Sequence, residues 1–390
     1  MARLLPFRAL RYVNSSGQLD HGTRLAAAGA QVTEAQRRRR SEWAPQHSLH
    51  LNVAADPHER LRSWLAEGFL ERDEKPALYV LCVEVEGLPP SLLLLGLLEP
   101  DPTILPLEEG DEPPDRAAVG PVGAVTADDH QLLHRLLLEA TSCATPVIST
   151  RFEERDLKLF RLEAGPLTER LQAGLADAPV RTLSPLSPGR PALVAVLPLS
   201  DRGLSLQPIH RALRNVATFE RNRFLLIVRE YARVLDLEAR LDTPAGLVEA
   251  REQLATLSSA MHAVLLVLPE GEGKILRFRQ PLDLAHVKAA PRSPTLRSLD
   301  LALLNALVLK TVLGINAPEQ VGHSQVFTVA TLEALVEGVN AEQFQVGFGL
   351  NAPPVWELRA VIEAAQRLPP RTLRLAPLPP EGLLFLSPEQ

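Results

Sequence analysis

Apolar positions along this chain fall into two recurring patterns. Short continuous or alternating runs suit strands, and spacings of three and four suit one face of a helix. Leu61, Trp64, Leu65 and Phe69 recur at helical spacing and predict a helix over His58–Phe69. Ala77–Val85 reads as a strand with Ser91–Leu98 as its partner, turned at Pro89-Pro90. Thr126-Ala127-Asp128-Asp129 has the form of a helix start, with Thr126 as N-cap and a helix running to Ser142. Val147–Thr150 and Lys158–Leu162 predict short strands, and Pro166–Leu175 a helix.

Further along, Leu193–Leu199 and Ser205–Ile209 read as strands, and Ala217–Leu235 and Gly246–Leu257 as helices. Ala263–Leu268 and Lys274–Arg279 flank Pro269-Glu-Gly-Glu-Gly273, a hairpin pattern. Leu299–Leu313 carries the strongest helical signal, closed by Gly314. Thr331–Gly338 (helix), Gln345–Leu350 (strand), Trp356–Gln366 (helix) and Gly382–Leu386 (strand) complete the reading. Helices and strands interleave throughout, which predicts a mixed α/β (α+β) fold with mixed sheets and flanking helices. Residues 99–125, rich in Pro, Glu, Asp and Gly, read as a loop, and the Pro-rich stretch 176–192 has no apolar period. The second is read as a linker or loop between an N-terminal lobe, 1–175, and a C-terminal lobe, 193–390.

Composition narrows the class. With 46% hydrophobic and 23% charged residues the chain is globular. At 390 residues it is long enough for two domains and for a large core. A net charge of −6 favours neither nucleic acid nor an anionic membrane, so no nucleic-acid or membrane partner is expected. Cys82 and Cys143 are too few for a zinc cluster or a disulfide framework. The opening residues lack a signal-peptide pattern, and Leu299–Ile315 is interrupted by Asn305 and Lys310, so a soluble cytoplasmic protein is expected.

Candidate chemistry is sparse. GxSxG, HExxH and GxGxxG are absent. Gly271-Glu-Gly273-Lys274 lacks Walker spacing and precedes a strand, so it reads as the hairpin turn. His130 and His134 lie four apart after Asp128-Asp129, a metal-ligand spacing without a third ligand, so the acids read as capping groups on a surface helix. His47, His50 and His58, around Asp56, read as loop histidines. Gln31–Glu42, with Arg37–Arg40, reads as a short polar helix with a solvated face.

Four segments, in order, carry a resemblance. Pro6-Phe7-Arg8-Ala9-Leu10 opens the chain. Trp64-Leu65-Ala66-Glu67-Gly68-Phe69-Leu70 precedes Pro76-Ala77-Leu78-Tyr79-Val80. Leu299-Asp300-Leu301 leads to Leu307–Leu309 and Leu313-Gly314-Ile315. Leu368-Pro369-Pro370-Arg371-Thr372 precedes Gly382-Leu383. Together they resemble a widespread bacterial and archaeal family, domain of unknown function 1015, which older annotation likens to ParB-type partition proteins. The hallmark of that family is an Asp-Gly-His-His-Arg turn opening a helix, similar to the phosphate-gripping motif of sulfiredoxin and to the site of ParB-like free serine kinases. Glycine, a helix N-terminus and His/Arg side chains together suit an anion.

The matching stretch here, Arg181–Ala192, reads RTLSPLSPGRPA, with no histidine, and Pro191 removes a backbone donor. The His-Glu-Thr element of the family falls at Leu107-Glu108, without the histidine, and its Lys-Ser-Thr has become Arg371-Thr372. Gln207-Pro208-Ile209-His210-Arg211 is similar to a retained strand of the family, and His210 is read either as a strand-end packing residue or as a pocket residue. Scaffold motifs persist while polar motifs are lost. The resemblance therefore implies a catalytically degenerate member, a pseudoenzyme acting as a binding or scaffold protein for a small anion or a protein partner, with no cofactor expected. The alternative is a small-molecule kinase or other nucleotide-dependent phosphotransfer enzyme. Glu108, His210, Arg211, Arg371 and Thr372 are the candidate residues of a vestigial pocket.

Overall fold

The computed structural model describes residues 2–13, 21–27, 46–54, 56–109, 120–127, 131–176, 178–186, 189–279, 293–316, 325–387 and 389. It is a mixed α/β fold in two compact units, one of residues 1–205 with 376–390 and one of residues 206–375.

The first unit is built on an eight-stranded sheet. Its strands are β1 (Leu4–Leu5), β4 (Leu78–Val85), β5 (Ser91–Leu98), β6 (Val122–Thr126), β7 (Pro146–Phe152), β8 (Arg155–Leu162), β9 (Val180–Thr182) and β10 (Ala192–Pro198), in the order β7-β8-β4-β5-β10-β6-β9 with β1 also on β5. Neighbours are antiparallel except β10 and β6. A small ribbon pairs β2 (Leu10–Tyr12) with β3 (Leu70–Arg72). The helices of this unit are α1 (Leu49–Val53), α2 (Pro57–Ala66), α3 (Leu132–Cys143) and α4 (Pro166–Ala176).

The unbroken apolar run of β5 follows from burial on both faces of the sheet. Leu92, Leu94 and Leu98 pack with Leu133, Leu136 and Leu137 of α3 and Leu171 and Leu175 of α4. Leu93, Leu95 and Leu97 pack on the other side with Phe7, Leu25, Leu383 and Leu384. The central acid of this unit is Asp73, which accepts from Tyr79 Oη and, at 3.0 Å, from Arg11 Nε.

The second unit has a six-stranded antiparallel sheet of β12 (His210–Leu213), β13 (Ala232–Asp236), β14 (Ala263–Val267), β15 (Gly273–Phe278), β16 (Val326–Val329) and β17 (Val346–Gly349), ordered β13-β15-β14-β17-β12-β16. Strand β11 (Ser205–Pro208) pairs with β18 (Leu373–Ala376), where the chain enters and leaves this unit. Helices are α5 (Arg221–Val228), α6 (Pro244–Ala260), α7 (Pro294–Arg297), α8 (Asp300–Leu303, continued as a π-helix over Leu304–Val312), α9 (Leu332–Asn340) and α10 (Val355–Glu363). One sheet face packs Val264, Leu266 and Phe348 against Leu303, Leu304, Leu307 and Val308 of α8. The other packs Leu265, Val267 and Ile275 against Ala250 and Leu254 of α6 and Leu332, Leu335 and Val339 of α9. Close approach of α9 to β17 depends on glycine, since a Cβ at Gly347 would lie 2.8 Å from Leu335 Cγ.

Several expectations change. The 176–192 segment is not a linker between units. Its residues 180–182 form β9, and Ala192 opens β10 in the middle of the first sheet, so the division falls at 205/206 and 375/376 instead. Within 99–125, residues 122–125 belong to β6, drawn in by parallel pairing with β10. Thr126 ends β6, and its hydroxyl donates to Pro179 O at 3.1 Å instead of capping a helix. The expected helix over Ala217–Leu235 is α5 plus the edge strand β13, because Ala232–Asp236 takes its hydrogen bonds from β15. Gly382–Leu386 is not a strand. Leu383, Leu384 and Phe385 are buried in succession, and single bridges tie Phe385 to Leu10 and Glu381 to Ala26. The 31–42 segment and Asp128, Asp129 and His130 lie outside the described residues.

Candidate functional site

The second unit carries a cavity of about 690 Å³. That size is typical of small-molecule sites. Three elements shape it. The N-terminal end of α9 supplies Thr331, Leu332 and Glu333, α6 supplies Arg251 and Leu254, and the segment 349–354 after β17 supplies Leu350 and Asn351. His210, at the start of β12, closes the floor.

Each group is held by local chemistry. Thr331 caps α9 by accepting from Ala334 N at 3.2 Å, which fixes the positive end of that helix at the cavity. Arg251 pairs with Glu333, which holds the Glu333 carboxyl below its usual range. Arg374 donates to the Gln207 amide oxygen at 3.0 Å and has no carboxylate partner among the described residues. Asn351 Nδ2 donates to Leu254 O at 3.1 Å. His210 is 5% exposed. Leu350 N–H donates to its Nδ1 at 3.1 Å, so the neutral ring carries its proton on Nε2. Burial, reinforced by Arg251, pushes His210 down to about 4 and keeps the ring neutral. Its Nε2–H has no hydrogen-bond partner among the described residues. Among the described residues, two guanidinium groups against one carboxylate give the cavity lining one positive charge, with an imidazole donor and a helix N-terminus beside it.

Of the sequence candidates, only His210 lines this cavity. Arg211 is fully buried at 1% exposure, and its guanidinium donates to Ile209 O, Pro370 O and Arg371 O at 2.9–3.0 Å, so it ties β12 to the 370–371 turn. Arg371 has a left-handed backbone, φ +53°, and donates to Thr328 Oγ1 at 3.3 Å. Thr372 is buried and donates to Pro369 O at 2.6 Å. Glu108 is half-buried in the first unit.

Sequence reasoning missed Arg251, Glu333, Asn351 and Arg374. Thr331 at the expected start of a helix was the one local signal. The other candidates resolve into structure. His134 is buried, with Nδ1 3.4 Å from Asp201, whose carboxylate also accepts from Leu92 N and Gly203 N. His47 accepts from Leu49 N. No group of three or more metal-ligating side chains forms among the described residues.

No family model matches the chain, and no curated protein matches it. Solved structures similar to it include a free serine kinase in complex with AMP, at 14% identity and a TM-score of 0.29, covering 70% of this chain and 93% of that one. Another is a conserved hypothetical protein from Pyrococcus furiosus, at 11% identity and a TM-score of 0.30, covering 68% of this chain and 90% of that one.

Proposed function

We propose that the chain is a divergent, catalytically degenerate relative of the ParB-like family it resembles, and that it works by binding a small organic or inorganic anion in the cavity of the second unit. The observation that carries this reading is the His210 ring. It is buried and neutral, with Nδ1 saturated by Leu350 N–H and an Nε2–H donor left for a ligand. His210 lines the cavity, so this donor is open to an occupant that carries a lone pair. Arg374, without an acid partner among the described residues, and the positive end of α9 favour a carboxylate or phosphate there.

The segment that corresponds to the phosphate grip of the family supports loss of chemistry. It holds strand β9, a turn through Gly189 at φ +73°, and Arg190, which is exposed. The competing kinase reading needs a nucleotide cradle at that segment, in the first unit.

Thermal titration with inorganic phosphate, succinate and Mg-ATP separates the two. Phosphate or succinate is expected to raise the melting temperature, since a ligand at a hundred times its Kd adds about 2.7 kcal/mol. Arg374→Ala is expected to abolish every such shift. A Mg-ATP shift that survives Arg374→Ala would place nucleotide binding outside this cavity and overturn the binding-protein reading.

A further inference from the structure

The cavity of the second unit is much larger than a simple anion needs. A lone phosphate or succinate fills a small part of about 690 Å³, a volume that suits a drug-sized molecule. The 350–354 segment also walls a second cavity, with His262, Asp300 and Glu357. At about 40 Å³ that one has room only for a water-sized group. What the larger cavity takes besides an anionic head is decided by its walls.

Its polar groups gather around one residue. The charges of Arg251, Glu333 and Arg374 all act on the His210 ring. Arg374 reaches Gln207, three residues before His210, and Thr331 stands two residues before Glu333 at the start of α9. Beyond these groups and Asn351, the wall among the described residues consists of apolar side chains and Gly349. Leu254 and Ala255 come from α6, Leu332 from α9, and Pro354 from the start of α10. Water held against such a surface is released when an apolar body takes its place, and that release drives binding. None of these wall residues is aromatic, so the cavity offers no ring face for a nucleobase to stack on.

We infer that this cavity takes an aliphatic acid, its carboxylate against His210 Nε2–H and Arg374, and a medium-length hydrocarbon body along Leu254, Ala255 and Pro354. The assignment rests on the anion reading above and adds what the anion is attached to. One imidazole N–H and one guanidinium fork suit the paired oxygens of a carboxylate, and Arg374 keeps further N–H donors beyond the one on Gln207. The small side chains of Ala255, Ala330 and Ala352 leave the space that the body fills.

The experiment titrates butyrate, hexanoate and octanoate into the intact chain by calorimetry, with octanol as the uncharged control. Each added pair of methylenes is expected to raise affinity about tenfold, at a single site per chain. Octanoate is expected to bind about tenfold tighter than octanol, and Arg374→Ala to remove that difference. Ala255→Trp, which fills the space beside Leu254, is expected to abolish octanoate binding. A gain below about tenfold from butyrate to octanoate overturns the aliphatic body, even if a variant fails to fold, because the series needs only the native chain. If phosphate or succinate still raises the melting temperature in that case, the anion reading stands without this one. Octanol binding as tightly as octanoate overturns the acid head. Octanoate binding that Ala255→Trp leaves unmoved overturns the site.

Discussion

His210 and Glu357 are both buried near cavities, yet they respond to pH in opposite directions. The folded chain takes up the His210 proton only near 4, whereas an unfolded histidine takes it up near 6.5. Stability from this group is therefore lost as pH falls from about 6.5 toward 4, by up to about 3 kcal/mol. Glu357 does the reverse. Its folded carboxyl holds a proton up to about 7, so stability is lost as pH rises from about 4.5 through 7. His262, raised by Asp300, loses its contribution in the same direction. Melting curves from pH 4 to 8 are expected to show His210→Asn flattening the acid limb and Glu357→Gln flattening the neutral one. Equal slopes in wild type and variants would show that neither group is shifted in the folded chain. Arg211 gives a third prediction. Its guanidinium serves three backbone carbonyls, so Arg211→Ala should cost about 2–5 kcal/mol in denaturant unfolding, whereas exposed Arg371→Ala should cost under 1. The sequence suggested Arg211 as a ligand-holding residue because arginine suits anions. What it could not show is that β12 is buried at every position, which turns the guanidinium inward to the backbone.

Among the elements, α8 was the most legible and still held something unread. Its apolar density announced a core helix, and Leu299, Leu303, Leu307 and Val308 are buried as expected. Gly314 closes it in the left-handed region at φ +70°. The wider π turn over Leu304–Val312 is written in hydrogen bonds, not in polarity, and Thr311 adds a 2.7 Å bond from its hydroxyl to Ala306 O. Leu303→Ala is expected to lower unfolding free energy by about 2–5 kcal/mol; a loss below about 1 would place this helix outside the core. Strands β4 and β5 were legible for a simple reason, since each is a local run bounded by turn residues and buried on both faces. Edge strand β13 and strand β6 were not, because pairing with a distant partner decides them. The same distance effect hid both cavities. Arg251, Glu333 and Arg374 meet through α6, α9 and β18, and His262, Asp300 and Glu357 through β14, α8 and α10. No spacing rule links such positions.

For the whole molecule, the decisive fact is that residues 206–375 form one uninterrupted unit with a sheet buried on both faces. Expressed alone, this stretch is expected to melt cooperatively and to keep the anion response of the full chain; a non-cooperative melt would show that its core is incomplete. The first unit is different, since it needs residues 376–390. Leu383 and Leu384 pack beneath β4 and β5, and Phe385 stacks edge-on to Tyr12 with ring centroids 5.5 Å apart. During synthesis the ribosome must make about 170 further residues after Ser205 before this returning segment emerges. At 5–20 residues per second that interval is roughly 10–30 s. Throughout it the face of β4 and β5 beside Leu25, and Tyr12 on the β2–β3 ribbon, lack their C-terminal cover, a nascent chain with an apolar window held open by the length of its own insert. Timing of translation thus becomes a determinant of how often this protein is captured by chaperones, and slowing elongation within 206–375 should lengthen that capture.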